Sequence, residues 1–195
     1  MCQIIESLKN RIASVIGQSR VAEDPWHSKN TLEWVRRLTR KPSLALQIAA
    51  LGHDIERAVG DRRVRKEDFS NYNAFKLAHA KNSARILTEL MTQCGIKDTS
   101  FIDSVRELVE RHEFGGTPEA DILKDADGLS FFEVNLPLYY MREGWHEALR
   151  RSLWGYSRLS PRAKELAESI VRAESPGVKK LIDRTKRLTQ MGMFW

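Results

Sequence analysis

The stretch AALGHDIERAVGDRRVRK, residues 49–66, ends an apolar run with a histidine–aspartate pair, His53–Asp54, and follows it with a basic cluster. A carboxylate that follows the apolar run AALG, one residue on, is expected to be partly buried, and a buried carboxylate without a partner is costly. A metal ion would neutralise it. Imidazole and carboxylate together suit Fe, Mn, Zn or Co, with no need for cysteine. Two ions sharing a bridging carboxylate would need about five or six protein ligands, drawn from several helices of a bundle. Six side chains of these types are spread along the chain: His27, His53, Asp54, His79, His112 and Asp127. Most have an ordinary alternative. His27 and His112 suit helix ends, where His112 as a cation would meet exposed carbonyls. His79, after Leu77 and Ala78, suits a core imidazole, and Asp127, beside Asp125, suits a cap. Asp54 is harder to explain in this way. The fifth histidine, His146 in REGWHEALR, lies outside the pattern and is expected on the surface.

The elements that must position these residues are helical. Ile4, Leu8, Ile12 and Ile16 recur every four residues as one stripe of a first helix that Gly17 closes. Asp24–Pro25 reads as an N-cap and first helical residue, placing His27 in a first turn, with Trp34, Val35 and Leu38 on the buried face. Pro42 starts a third helix, LALQIAALGHDIERAV, expected to run to about Gly60 with His53 and Asp54 in its C-terminal half. After the basic connection GDRRVRKEDFSNYN, a long helix from about Ala74 to Cys94 carries His79 and stops at Gly95. Thr99 or Ser100 caps the next, which reaches His112 and breaks at Gly115–Gly116. Pro118 opens another through ADILKDADGLSFFEVNL until Pro137. Ser160–Pro161 and Ser175–Pro176 each start a final amphipathic helix. The alternating pattern of strands is absent, and so are repeats. These signals predict an all-α, single-domain helical bundle over residues 1–195, with the motif-bearing part at about 24–135 and the helices of 136–195 packed on it.

With 42% hydrophobic and 30% charged residues the balance is globular, and the formal net charge of +6 favours anionic partners such as phosphates, nucleotides or nucleic acid. Only Cys2 and Cys94 are present, with no CxxC, which argues against a disulfide scaffold or a thiolate zinc site and suits a reducing compartment. The N-terminus lacks a signal-peptide pattern, and no run approaches the roughly 20 apolar residues of a membrane span. A soluble, cytoplasmic protein with no membrane association is expected, and a homo-oligomer is compatible with the sequence.

The order H…HD…H…H…D resembles the HD-domain superfamily of metal-dependent phosphohydrolases. LGHDIER is similar to that family's LLHDIGK, HAKNSARIL to its HPEIGAEIL helix, VERHEF to V..HHE, and LKDADGLSFF to LKDADRLD. The resemblance covers roughly residues 24–135. It implies an all-helical fold of the HD type and one or two divalent ions from among Mn, Fe, Zn, Co, Ni and Mg. His27, His53, Asp54 and Asp127 would form a first metal site, and His79 and His112 a second, with Asp54 bridging. EFGGTP after His112 lacks the doubled histidine and GYP of the cyclic-dinucleotide phosphodiesterase branch.

The resemblance implies hydrolysis of a nucleotide or other small phosphate ester through a metal-activated water. Asp54, Arg57 and Lys81 are the expected catalytic residues. Arg57 takes the place of the family's Lys and adds a planar fork suited to phosphate. Arg57, Arg62, Arg63, Lys81 and Lys124 are the expected substrate contacts, with Arg65 and Lys66 extending a phosphate lip. Trp26, Phe69, Tyr72 and Phe75 would stack on a base or pack over the site, and Glu113 would support His112. Two other functions share these features: a di-iron oxygenase of the same superfamily, and a non-catalytic nucleotide- or RNA-binding module.

Overall fold

The computed structural model describes residues 2–171 and 175–193. Helix α1 (Cys2–Ile16) buries Ile5, Leu8, Ile12 and Ile16 but leaves Ile4 exposed, so its apolar stripe starts one residue later than expected. Helix α2 (Asp24–Leu38) begins at Glu23, not Asp24, as the cap residue. The Asp24 carboxylate is taken up elsewhere, by Ser19 and Arg57.

Helix α3 (Leu44–Gly52) is capped by Ser43, whose hydroxyl accepts from the Leu46 N–H at 3.0 Å. It was expected to continue to Gly60. Instead it ends at Gly52, and a short 3-10 turn (Ile55–Ala58) follows. The break has a use. Consecutive α-helical side chains diverge by about 100°, whereas Asp54, at φ −103° and ψ 14°, leaves the helix and points with His53 toward one centre. Gly52 allows helix α4 (Tyr72–Gln93) to come close: a Cβ there would lie 2.8 Å from the Leu87 side chain.

Helix α4 is capped by Asn71 and ends at Gly95, whose φ of 85° only glycine adopts readily. Helix α5 (Thr99–Arg111) is capped by Asp98, not by Thr99 or Ser100. Thr117 caps α6 (Pro118–Ser130). Pro137 does not stop the chain. A π turn (Phe131–Asn135) joins α6 to α7 (Leu136–Ser157), and Pro137 falls in the first turn of α7, where no backbone donor is needed. Gly144, at φ 78°, kinks α7. Helix α8 (Pro161–Val171) and helix α9 (Pro176–Gln190) start at Ser160 and Ser175 as expected.

Helix α3 lies at the centre, packed by α1, α2, α5 and α6, with Leu46, Ile48, Ala49 and Ala50 inaccessible to solvent. Helix α7 packs on α9 and on the π turn, and α8 bridges α6 to α9. One apolar core runs from Ile5 to Ile182. The fold is all-α, with no strand among the described residues. Among the described residues no helix is long and apolar enough to cross a membrane.

Candidate metal centre

Four histidines converge where α2, α3, α4 and α5 meet, and all four are buried. Their Nδ1 atoms are all engaged. His53 Nδ1 donates to the Ala50 carbonyl at 3.0 Å, and His112 Nδ1 to the Val109 carbonyl at 2.7 Å. His79 Nδ1 donates to Glu56 Oε1 at 2.7 Å. His27 Nδ1 lies 2.8 Å from Ser130 Oγ, whose own hydroxyl donates to the His27 carbonyl at 3.1 Å. Each of these acceptors requires the proton on Nδ1. The four Nε2 lone pairs are therefore left facing inward.

The Nε2 atoms fall into two groups. His27 Nε2, His53 Nε2 and Asp127 Oδ1 form a triad with separations of 3.2, 3.2 and 3.5 Å. His79 Nε2 lies 2.8 Å from Asp54 Oδ1, and His112 Nε2 lies 3.9 Å from it. The other oxygen, Asp54 Oδ2, is 3.8 Å from both His27 Nε2 and His53 Nε2. One carboxylate thus presents an oxygen to each group. A third, overlapping group joins His112 and Asp127 to Glu113.

These residues fit a metal ion. Donors about 2.1 Å from one ion, at angles between a right angle and the tetrahedral value, are about 3.0–3.4 Å apart; two separations of the first triad fall in this range and the third, 3.5 Å, lies just beyond it. Two inward lone pairs 3.2 Å apart repel unless a proton or a metal ion lies between them. His112 Nε2 is buried with no hydrogen-bond partner. A cation in each group would satisfy both.

Burial opposes a charge on His53, but the Asp54 and Asp127 carboxylates outweigh it and push its pKa up to about 9. Burial likewise opposes ionisation of Asp54, yet His53, Arg57 and His79 hold it well below the usual carboxylate range. For Asp127, Arg158, His27 and His53 overcome burial in the same direction. Burial pushes His112 down, keeping it neutral. In the metal-free chain the proton on His53 therefore stands in for a metal ion. A pKa raised above the free value near 6.5 stabilises the fold fully below that pH, and this contribution is lost as pH rises through about 9. Chelated protein is expected to melt several degrees lower at pH 9.5 than at pH 7, and saturating Mn²⁺ or Zn²⁺ to remove that drop.

Sequence reading did not single out Glu56. It is buried, accepts the His79 Nδ1–H, and is itself fixed by the Val64 N–H at 2.9 Å and the Asn82 amide at 2.7 Å. Its position three residues after His53 was the available signal. Such carboxylates orient imidazole ligands. Glu56→Ala is expected to weaken metal binding about 10–100-fold, read by competition with a chelator. Asp125, in contrast to Asp127, accepts from the Ser160 N–H and hydroxyl and so ties α8 to α6.

A small cavity of about 70 Å³ opens above Asp54, His27 and Asp127, lined by Arg57, Lys76, Arg142, Arg151 and Arg158 together with Phe131 and Trp154. Of the expected substrate contacts only Arg57 reaches it, and its fork already spans Asp24 at 3.0 Å and Asp54 at 2.7 Å. The other four are placed elsewhere. Arg62 makes a paired contact with Glu89 at 2.7 and 2.8 Å, and Arg63 is exposed. The loop bearing them is pinned to α4, because Asn82 bonds the Arg62 carbonyl at 2.6 Å. Lys81 is exposed on α4, about 200° around the helix from His79. Lys124 is held by Asp121 at 3.0 Å. Arg65 and Lys66 are exposed, as are Trp26 and His146. Phe69, Phe75 and Tyr72 pack in series, and Tyr72 meets Trp154 edge-on at 5.1 Å.

Glu113 does not support His112 through Nδ1. It lies 3.3 Å from the inward Nε2, and its charge is met by Lys76 and Arg158. Arg158 also bonds Asp127. The cations that replace the basic loop come mostly from α7, a segment without a recognisable motif. The signal was the spacing of Arg151, Trp154 and Arg158, three and then four residues apart on one helix face.

Fold and site together define an all-helical protein with buried His/Asp clusters able to hold metal ions. A family model described as a domain of unknown function, DUF4202, matches residues 9–182, and the chain belongs to that family. No curated protein and no solved structure matches the chain.

Proposed function

We propose that this protein is a metal-dependent phosphohydrolase of the HD-domain type, acting on a nucleotide or another small phosphate ester. One observation carries the reading: Asp54 presents its two oxygens to two separate imidazole groups, directly beneath a cavity ringed by five cationic side chains. His27, His53 and Asp127 would hold one divalent ion and His79 and His112 another, with Asp54 between them. When bound, such ions supply Lewis acidity toward a phosphoryl oxygen and acidify water at neutral pH. The chain supplies the rest. Phosphoryl transfer depends on positioning and on positive charge more than on covalent chemistry. Arg151, Arg158 and Lys76 would offset charge on the non-bridging oxygens, and Arg57 would hold the Asp54 carboxylate in place. The small cavity favours a terminal phosphoryl group over a threaded polynucleotide.

Metal analysis of protein purified without chelator, followed by a panel of phosphate mono- and diesters with Mn²⁺, Co²⁺, Ni²⁺ or Mg²⁺, tests this reading. Phosphate or alcohol release that is abolished by chelator is expected. Bound iron with O₂ consumption and no ester hydrolysis would replace the reading by oxygenase chemistry.

A further inference from the structure

Four of the five cations around the cavity are paired. Arg57 is met by Asp24 and Asp54, Lys76 by Glu113, Arg142 by Glu23 and Glu143, and Arg158 by Glu113 and Asp127. Arg151 differs. Its guanidinium, within the electrostatic reach of Asp54, has no carboxylate at ion-pair distance and no hydrogen-bond acceptor among the described residues, and its Nη1 is buried without a partner. It lies among aromatic faces, with Cζ 5.4 Å from the ring centre of Tyr72, 5.6 Å from that of Phe131 and 5.8 Å from that of Trp154. Burial disfavours its charge, and the like charges of Arg57 and Arg158 add to this, pushing its pKa down to about 9. It remains a cation at neutral pH, in surroundings that penalise it. Leaving a buried charged donor unpaired is expensive, and methionine or leucine would pack against the three rings at lower cost. The planar fork suits bidentate capture of a tetrahedral oxyanion.

We propose that Arg151 anchors an anion site, formed before any metal binds, that receives the phosphoryl end of the substrate. Arg158, four residues past Trp154 and seven past Arg151, borders the same space with its Nε also unpartnered. The identity of the ligand as an ester rests on the phosphohydrolase reading. Binding of the oxyanion itself does not.

The probe is inorganic phosphate at constant ionic strength, with chloride as control, added to the full chain as purified and again after chelation. Saturating phosphate is expected to raise the melting temperature of the chelated wild type by about 5 °C or more. Arg151→Met is expected to melt at or above the wild-type temperature without phosphate, because the uncompensated charge is gone. Its affinity for phosphate should be at least about tenfold weaker, the loss of one charge-assisted contact. Arg151→Lys, which keeps the charge but not the fork, should fall between the two. A wild-type phosphate response in Arg151→Met, or no response beyond chloride in the chelated wild type, overturns the site. The two readings fail separately. Unchanged KM for ester hydrolysis by metal-loaded Arg151→Met removes the anion site and leaves the hydrolase. Arg151-dependent phosphate binding in a protein that hydrolyses no ester does the reverse.

Discussion

Asp54→Ala is expected to empty both metal groups and to reduce ester hydrolysis by at least about 10³-fold, equivalent to about 4 kcal/mol of transition-state stabilisation. Asp54 presents one carboxylate oxygen to each group. Its Oδ1 is 2.8 Å from His79 Nε2, and its Oδ2 is 3.8 Å from His27 Nε2 and His53 Nε2. Without it the first triad keeps two imidazoles and Asp127, but the second keeps two imidazoles beside Glu113, whose charge Lys76 and Arg158 already meet, so the charge of an ion there is left poorly matched. The helical fold should survive, because Arg57 retains Asp24 as a partner and the apolar core does not involve Asp54. Metal content by mass spectrometry, kcat, and far-ultraviolet circular dichroism separate the two effects. Asp54→Asn preserves shape and removes charge, and it should lose metal nearly as completely. Full turnover in Asp54→Ala would exclude the bridging role.

Arg158→Ala is the substitution expected to lower stability most. Arg158 bonds Glu113 Oε2 at 2.7 Å, the Glu113 carbonyl at 3.1 Å, and the Asp127 carboxylate. It joins the C-terminal end of α5, the last turn of α6 and the end of α7. Glu113 is almost inaccessible to solvent, and these cations hold its carboxyl far below the usual range against the opposing effect of burial. Removing one partner from such a network typically costs about 3–5 kcal/mol. For a chain of this size that lowers the melting temperature by roughly 6–20 °C. The drop should be larger in chelated protein than in metal-loaded protein, where an ion also neutralises Asp127. Adding Glu113→Gln to Arg158→Ala should recover part of the loss, since the stranded charge is then gone. A change within about 2 °C would show that Lys76 alone balances Glu113.

Much of the helical architecture was legible along the chain, because caps and breakers act locally. Gly95, Thr117–Pro118 and Ser175–Pro176 mark ends that depend only on the adjacent backbone. The misplaced boundaries have non-local causes. Helix α3 stops at Gly52 instead of Gly60 because His53 and Asp54 are both drawn toward side chains on α2, α4 and α5. The helix starts at Glu23 because Asp24 is engaged by Arg57, more than thirty residues away in sequence. Pro137 passes into α7 because the π turn before it frees the backbone of a donor at that point.

The sequence by itself determined the all-helical class and the six imidazole and carboxylate groups, since helix periodicity and residue type are properties of the chain alone. Only the tertiary structure decided how those groups combine, and which charges surround them. The basic run after His53–Asp54 is pinned to α4 by Asn82 and Glu89 and does not line the cavity above Asp54. Arg151 and Arg158, a hundred residues later, occupy the cavity instead. Net charge is additive along a sequence, but the direction of a side chain follows from packing, here of α7 against α9 and the π turn. That packing set the cations over Asp54.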